Sequence, residues 1–192
     1  MPDLAVRGGR VVTSAGVVDA DVLVQGGRIT GIVTRDSGDA KQEIDARGLV
    51  VLPGVVDAHV HVNEPGRAEW EGWLAATRGA AAGGVTTIAD MPLNSIPPTI
   101  DGDAFDQKYD VAAENAVVDF ALWGGLIDGG VERLRELAAC GVVGVKAFLC
   151  PSGVDEFPHI SEPLLVPVLA AATAAGLLVA ENCVLYYLIA FT

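Results

Sequence analysis

Residues 50–61 decide the fold, and their sequence is Val50-Val51-Leu52-Pro53-Gly54-Val55-Val56-Asp57-Ala58-His59-Val60-His61. The apolar residues before Asp57 do not alternate with polar ones, which is typical of a strand buried on both faces in a parallel sheet. Side chains two residues apart in a strand project from the same face, so His59 and His61 are expected to lie side by side. They stand at the carboxyl end of the strand, where α/β barrels carry their sites.

Downstream of this strand, β-branched runs and helix-like segments alternate along the chain. Further strands are predicted over 85–89, 117–123, 142–149 and 177–180. Helices are predicted over 68–82, 103–114, 131–139 and 161–175, with Ser161 as an N-cap and with Gly83, Gly141 and Gly176 closing three of them. This order is typical of parallel βαβ units. It fits either a complete open α/β sheet or the first half of a (β/α)8 TIM-like barrel, which needs eight strands and eight helices.

Residues 4–50 have a different character. Short β-branched runs are separated by the glycine pairs Gly8-Gly9 and Gly26-Gly27, and each pair predicts a hairpin. The chain is therefore expected to have two parts, an all-β module over residues 1–50 and an α/β part over residues 51–192.

The composition excludes two classes of partner. The 192 residues include 12 Lys and Arg against 25 Asp and Glu, so the formal net charge is −13. Nucleic acids and anionic membrane surfaces are bound by clustered basic residues, so neither is expected as a partner. The chain is 51% hydrophobic, which is too apolar for a disordered protein.

The most apolar segment is not expected to cross a membrane. Residues 164–180 carry no charge, but Pro167 and Gly176 interrupt them, and a buried helix followed by a buried strand is expected instead. The chain does not start with a basic segment followed by an apolar run, as a signal peptide would, so a cytoplasmic location is expected.

Three side chains of the α/β part suit a metal site. Two neutral imidazoles on one face, those of His59 and His61, suit a divalent transition metal. Lys146 is a lone lysine near the end of an apolar strand, and lysine is rarely buried without a partner. Either it loses its charge, by a pKa shift or as a carbamate that would bridge two metal ions, or it reaches the strand end and pairs with Asp57 or Asp90.

These residues resemble the cyclic amidohydrolases, the family of allantoinase, dihydroorotase and hydantoinase. The segment 53–61 is similar to the first metal motif of that family, and Lys146 stands where its carbamylated lysine would be. The resemblance runs from about residue 4 to about residue 180. It implies a metallo-dependent hydrolase, in which residues 1–50 are the N-terminal part of a composite β-sandwich and residues 51–192 are the first half of the barrel.

Three segments resemble the allantoinases within this family. Asn63 stands where dihydroorotases usually have an arginine that grips the substrate carboxylate, and allantoin is a neutral ring that needs no such arginine. The segment 90–99 is similar to the allantoinase loop after the second strand. The segment 146–158 lacks the tyrosine that hydantoinases tend to carry near Pro151.

The resemblance also implies the chemistry. Of two divalent metal ions, expected to be zinc, the more buried one would be held by His59 and His61, and carbamylated Lys146 would bridge both. Water activated by these ions would open the hydantoin ring of allantoin to allantoate, a step of purine catabolism. Asn94 and Ser152 are the expected substrate contacts. The full-length form is expected to be a homo-oligomer whose substrate is a small cyclic amide.

The pattern breaks towards the end of the chain. The fifth strand of the family normally ends in a histidine ligand, but residues 177–182 are Leu177-Leu178-Val179-Ala180-Glu181-Asn182. The general-base aspartate is expected beyond residue 192, and His159 is expected to be an ordinary loop residue. The chain is therefore interpreted as an incomplete fragment that is inactive alone. Two alternatives stay open: a dihydroorotase or hydantoinase, and a non-catalytic amidohydrolase-like fragment that acts only through a partner subunit.

Overall fold

The protein is described here by a computed structural model that covers residues 1–182. The described residues divide into two compact units, the first ending at Gly54 and the second beginning at Val55.

The first unit is a mixed β-sheet. An antiparallel meander consists of β1 (Leu4–Thr13), β2 (Gly16–Gln25) and β3 (Arg28–Val33). Two short strands, β4 (Gln42–Asp45) and β5 (Val50–Val51), lie parallel to successive parts of β1. Small β-branched and alanine side chains form its core, namely Val11, Ala20 and Val22.

The two glycine pairs of this unit have different roles. Gly26-Gly27 forms the predicted turn between β2 and β3, and both residues have the positive φ, 57° and 73°, that a type I′ turn requires. The hairpin predicted at Gly8-Gly9 is wrong, because β1 continues through the pair and its register with β2 shifts there. The N–H of Gly8 donates to the buried carboxylate of Asp21 at 2.8 Å, which holds this β-bulge in place.

The second unit contains parallel strands in the order of the chain. One sheet consists of β6 (Val55–Val60), β7 (Val85–Asp90) and β8 (Asp119–Leu122), and another of β9 (Gly124–Leu126), β10 (Val145–Phe148) and β11 (Val179–Asn182). Only Trp123 separates β8 from β9, so one stretch of chain passes from the first sheet into the second. Counted in this way, the described residues occupy the five strand positions that the sequence predicts.

Helices connect these strands. They are α1 (Ala68–Glu71), α2 (Trp73–Ala82), α3 (Gly102–Asn115), α4 (Leu134–Cys140) and α5 (Leu165–Ala174). The helix predicted over 68–82 is divided at Gly72, whose extended backbone separates α1 from α2. The left-handed residue after α2 is Gly84 rather than Gly83, while Gly141 and Gly176 have the positive φ that was expected. Helices and strands share one large core, with Trp73, Ile88, Leu126, Leu134 and Leu137 among its most buried side chains.

The run predicted as one buried strand over 50–57 is two strands. Val50–Val51 belongs to the sheet of the first unit as β5, and Val55–Val60 begins the second unit as β6. Val55 and Val56 are 53% and 64% exposed. The reason is that β7 is the one described strand that pairs with β6, so β6 lies at a sheet edge.

The apolar stretch 164–180 forms the short helix α5 and leads into β11. Val168 and Ala172 are buried and Val166 is 75% exposed, so the predicted helix is buried along one side. No helix within residues 1–182 has both the length and the apolar character needed to cross a membrane.

Candidate metal centre

His59 and His61 lie together at the carboxyl end of β6. Their ring centroids are 5.4 Å apart, and the ring planes are tilted by 49° to each other. His59 is a residue of β6 and His61 follows the last residue of that strand. An imidazole nitrogen binds zinc at about 2.0–2.1 Å, so rings at this separation can approach a common ion.

Lys146, a residue of β10, contacts one of the two histidines. Its side chain is 3% exposed, and its Nζ lies 3.3 Å from Nε2 of His59. It also lies 5.1 Å from the ring centroid of Phe148. Burial lowers the pKa of the Lys146 amine, because desolvation disfavours the ammonium form.

The alternative role of Lys146, an ion pair with Asp57 or Asp90, is not what the structure shows. Within residues 1–182, no carboxylate oxygen lies within ion-pair distance of its Nζ, and the partner of Asp90 is Lys108 at 2.6 Å. A buried amine beside an imidazole, without a counter-charge from the described residues, is suited to be neutral or chemically modified.

The ring of His61 is oriented by a backbone carbonyl. Its Nδ1 lies 2.6 Å from the oxygen of Leu93. Because a carbonyl oxygen only accepts, Nδ1 must carry the proton, and the lone pair of Nε2 is left for a ligand. Metal-binding histidines commonly have this arrangement. Desolvation lowers the pKa of His61 and is opposed by this hydrogen bond, so the neutral ring is favoured.

His59 is also held neutral. Desolvation lowers the pKa of its ring, an ammonium at Lys146 would lower it further, and the charge of Asp57 opposes both effects without outweighing them. The backbone N–H of His59 donates to Oδ1 of Asp57 at 3.1 Å, so this carboxylate contacts the strand and not the ring.

A buried ion pair, formed by Asp90 and Lys108, contacts the backbone next to His61. Asp90 is the last residue of β7, and its carboxylate has no exposed surface. It accepts from Nζ of Lys108, on α3, at 2.6 Å and from the N–H of Val62 at 2.6 Å. Complete desolvation raises the pKa of Asp90 to about 6, in spite of the opposing effect of Lys108 and of these N–H groups.

The loops after β6 and β7 are joined by polar contacts on the expected substrate side. Nδ2 of Asn94 donates to Oδ1 of Asn63 at 3.2 Å, so the two predicted amides are neighbours. The guanidinium of Arg67 donates to the carbonyl of Asn94 at 2.9 Å and pairs with Glu156, on the loop after β10, at 3.0 Å. Arg67 therefore connects three loops.

The hydroxyl of Ser152 forms hydrogen bonds with the backbone of its own loop. Its hydroxyl lies 2.6 Å from the carbonyl of Phe157 and 3.0 Å from that of Val154, and it accepts from the N–H of Val154 at 3.2 Å. The substrate contacts predicted for Asn94 and Ser152 stay predictions. His159 is exposed on the same loop, as an ordinary loop residue would be.

Sequence reasoning missed Lys108 and Arg67. A signal for Lys108 was present, because it lies in the stripe Ala104, Phe105, Lys108 and Ala112, whose spacing of three to four is that of the buried face of a helix. A lysine inside such a stripe needs a buried partner. Arg67 had no comparable signal, because its partners come from loops.

The donors present fit part of a metal centre. Within the described chain, no group of three or more His, Cys, Asp or Glu side chains could hold a metal ion. The two imidazoles are suitable ligands, and a carbamate on Lys146 would add anionic oxygens. The ammonium form of Lys146 does not fit, because it would repel a cation.

The family of the chain follows from this fold and this cluster together with the sequence. The profile of the Amidohydrolase family matches residues 50–174, which is well over half of the chain, and the chain belongs to that family. Amidohydrolases of the hydantoinase type generally depend on two metal ions.

The curated relatives of this chain include allantoinases. The chain is 49% identical over 182 residues to the allantoinase of Solibacter usitatus and 50% identical over 183 residues to that of Rubrobacter xylanophilus. These alignments cover 95% and 94% of this chain, and 40% of each relative. The chain thus spans about two fifths of the length of the curated relatives that it matches.

Solved structures confirm the predicted fold class. L-hydantoinase from Arthrobacter aurescens matches 94% of this chain with a TM-score of 0.88 and 35% identity, over 40% of its own length. A D-hydantoinase matches 93% of the chain with a TM-score of 0.80 and 28% identity, over 39% of its own length. The chain has the mixed α/β fold of the N-terminal part of TIM-barrel amidohydrolases.

The desolvated amine of Lys146 gives a prediction for stability. In the metal-free chain, Lys146→Met should raise the free energy of unfolding at pH 7 by about 1 kcal/mol, because it removes an amine whose protonated form is disfavoured by burial. The pKa of Lys146 is lower in the folded than in the unfolded chain. Its cost is therefore largest below the folded pKa and is relieved as the pH rises towards the unfolded value, so the gain should shrink by pH 10.

Urea denaturation in chelator and CO₂-free buffer at pH 7 and pH 10 measures this gain. Lys41→Met is the matched control, because the Lys41 side chain is 61% exposed and forms a surface pair with Asp3. It should change stability by less than about 0.5 kcal/mol. A loss of stability in Lys146→Met at pH 7 would show that the ammonium has a stabilising partner.

Proposed function

We propose that this chain is the N-terminal part of a metal-dependent cyclic amidohydrolase that opens the ring of allantoin to allantoate. The observation that carries the proposal is the cluster formed by His59 and His61, at the carboxyl end of β6, and Lys146 of β10. The substrate is suggested by the curated relatives, which are allantoinases at 43–50% identity.

Each residue of the cluster has a defined task in this proposal. His61 offers Nε2, since its Nδ1 is held by the carbonyl of Leu93, and His59 offers Nε2 on the side of Lys146. The desolvated amine of Lys146 adds carbon dioxide, which forms a carbamate and releases a proton. When bound, two divalent ions such as zinc would supply a Lewis acid and an activated water.

The polar loops favour a neutral ring as substrate. Asn63 and Asn94 offer amide groups, which can recognise the carbonyl and N–H groups of a hydantoin ring. The guanidinium of Arg67 is already bound by Asn94 and Glu156. None of these contacts offers a free positive charge to a substrate carboxylate, so a dihydroorotase is the weaker alternative. A hydantoinase takes a related ring, and turnover tests distinguish it.

The described residues hold only part of the ligands. The end of β11, Val179–Asn182, has no histidine at the place where the resemblance implies one. We therefore expect negligible ring opening by this chain alone, whether it is a fragment or a subunit that needs a partner. A cytoplasmic location and a homo-oligomeric full-length form stay predictions from the sequence.

A chimera tests the function directly. Residues 1–176 of this chain are joined, in the turn after α5, to the corresponding remainder of the Rubrobacter xylanophilus allantoinase, which then supplies its own fifth strand. With added Zn²⁺, Mn²⁺ or Co²⁺, the chimera should convert allantoin to allantoate. His59→Ala should reduce the rate at least 100-fold, because a ligand is lost.

His159→Ala is the matched control, since His159 is an exposed histidine of the same unit, and its turnover should equal that of the unaltered chimera. Full activity of the His59→Ala chimera would refute the proposed role of the cluster. A metal-loaded chimera that opens a hydantoin but not allantoin would identify a hydantoinase instead.

The role of Asn63 in specificity can be measured in the same chimera. The ratio of kcat/KM for allantoin over dihydroorotate should be about 100 or more, because an unpaired carboxylate is costly to bury. Asn63→Arg should lower this ratio at least tenfold, since the guanidinium attracts a carboxylate but cannot accept from Nδ2 of Asn94.

Asn63→Asp is the control, because it keeps the acceptor for Asn94 without adding a positive charge, and it should not improve dihydroorotate turnover. Comparable turnover of the two substrates by the unaltered chimera would contradict this interpretation of Asn63.

A further inference from the structure

The ion pair of Asp90 and Lys108 joins three elements of the second unit. Asp90 ends β7, Lys108 belongs to α3, and both side chains are about 1% exposed or less. Oδ2 of Asp90 accepts from Nζ of Lys108 at 2.6 Å, and Oδ1 accepts from the N–H of Val62, just after β6, at 2.6 Å. Nζ of Lys108 also donates to the carbonyl of Met91 at 2.9 Å.

The two backbone contacts of this pair converge on His61. Val62 is the next residue after His61, so the bond from Asp90 fixes the chain on one side of the imidazole. Met91 lies two residues before Leu93, whose carbonyl accepts from Nδ1 of His61. The bond from Lys108 therefore fixes the segment that carries the acceptor. One ion pair thus holds both partners of the hydrogen bond that orients this ring.

Stability alone does not account for the pair. Burying two charges costs their hydration, and apolar side chains of similar volume often replace a buried ion pair at no loss of stability. What apolar side chains cannot replace is the acceptor for Val62 and the donor for Met91. The specific contribution of the pair is therefore the placement of two backbone segments.

We infer that Asp90 and Lys108 are positioning residues for the candidate metal centre, which hold His61 in the Nδ1–H tautomer with Nε2 free to bind the ion. The inference rests on the proposed function for the identity of the ligand. The orientation of the His61 ring, however, can be measured without metal and without activity.

The test variant is Asp90→Leu/Lys108→Met in the 192-residue chain. It removes both charges together, so no unpaired charge is left in the core, and it removes both backbone contacts. Thr77→Val is the matched control: the buried hydroxyl of Thr77 donates to the carbonyl of Trp73 at 2.6 Å and accepts from the N–H of Val117 at 3.1 Å, away from the cluster. Urea denaturation reports the stability of each variant.

Two readouts separate positioning from stability. The first is the tautomer of each ring in metal-free protein with ¹⁵N-labelled histidine, where only three histidines contribute signals and the exposed His159 is an internal reference. The second is the dissociation constant for Zn²⁺, measured by competition with a chelator. Loss of such indirect support for a ligand typically weakens metal binding about 10–100-fold.

We expect His61 to be a single Nδ1–H tautomer in the unaltered chain and in Thr77→Val. In Asp90→Leu/Lys108→Met, it should be a mixture of tautomers, and Zn²⁺ should bind at least tenfold more weakly, even where stability is unchanged. A single Nδ1–H tautomer in a folded double variant would overturn the inference.

A second variant covers the case in which the first does not fold. Of the two backbone contacts, Asp90→Asn/Lys108→Met keeps the acceptor for Val62 and removes the donor to Met91. A smaller share of the second tautomer of His61 is therefore expected. Complete absence of the second tautomer in this variant would overturn the inference. If the unaltered chain binds no Zn²⁺, the metal-binding part of the proposed function fails in this chain, while the tautomer of His61 still decides the inference.

Discussion

A carboxylate without any exposed surface lies where β6, β7 and α3 meet, and the second unit depends on how that carboxylate is satisfied. Asp90 binds the ammonium of Lys108 and the N–H of Val62, and Lys108 binds the carbonyl of Met91. An unpaired charge at this position would be strongly destabilising. The same contacts fix the carboxyl ends of two strands and the start of the loop that follows β7, so packing and site geometry have a common origin.

At the candidate metal centre, the decisive feature is a second buried lysine, Lys146, whose surroundings differ from those of Lys108. Lys108 has a carboxylate as its partner, whereas Nζ of Lys146 contacts the imidazole of His59. Burial therefore favours the neutral amine of Lys146, the form that can react with carbon dioxide and then bind cations. The two lysines of this unit thus differ in their surroundings: Lys108 forms an ion pair, whereas burial lowers the pKa of Lys146.

Hydrogen bonds and an ion pair connect the loops around this cluster. His61 binds the carbonyl of Leu93, Asn94 binds Asn63, and Arg67 reaches the loop after β10 through Glu156. These contacts limit the movement of the segments that would surround a ring substrate. The contacts use amides and a paired guanidinium, in agreement with the neutral substrate that we propose.

Sequence patterns predict the periodic parts of this protein and fail at its particular contacts. Alternating β-branched runs and helical segments predict the strand positions of the second unit, and the spacing of two predicts the meeting of His59 and His61. Gly8-Gly9 was misinterpreted because a glycine pair suits a hairpin and a bulge equally, and only the partner Asp21 distinguishes them. Val55 and Val56 were expected to be buried because an apolar run does not reveal whether its strand lies at an edge. The partners of Lys108 and Arg67 are distant in sequence, so no local pattern contains them.

Zinc-edge anomalous diffraction from crystals of the chain grown with Zn²⁺ and bicarbonate tests the central claim, that His59, His61 and Lys146 form one metal-binding cluster. We expect an anomalous peak about 2.0–2.1 Å from one ring nitrogen of each histidine, with electron density for a carbamate extending from Nζ of Lys146. Zinc bound only at surface carboxylates, with Lys146 unmodified and still beside His59, would contradict it.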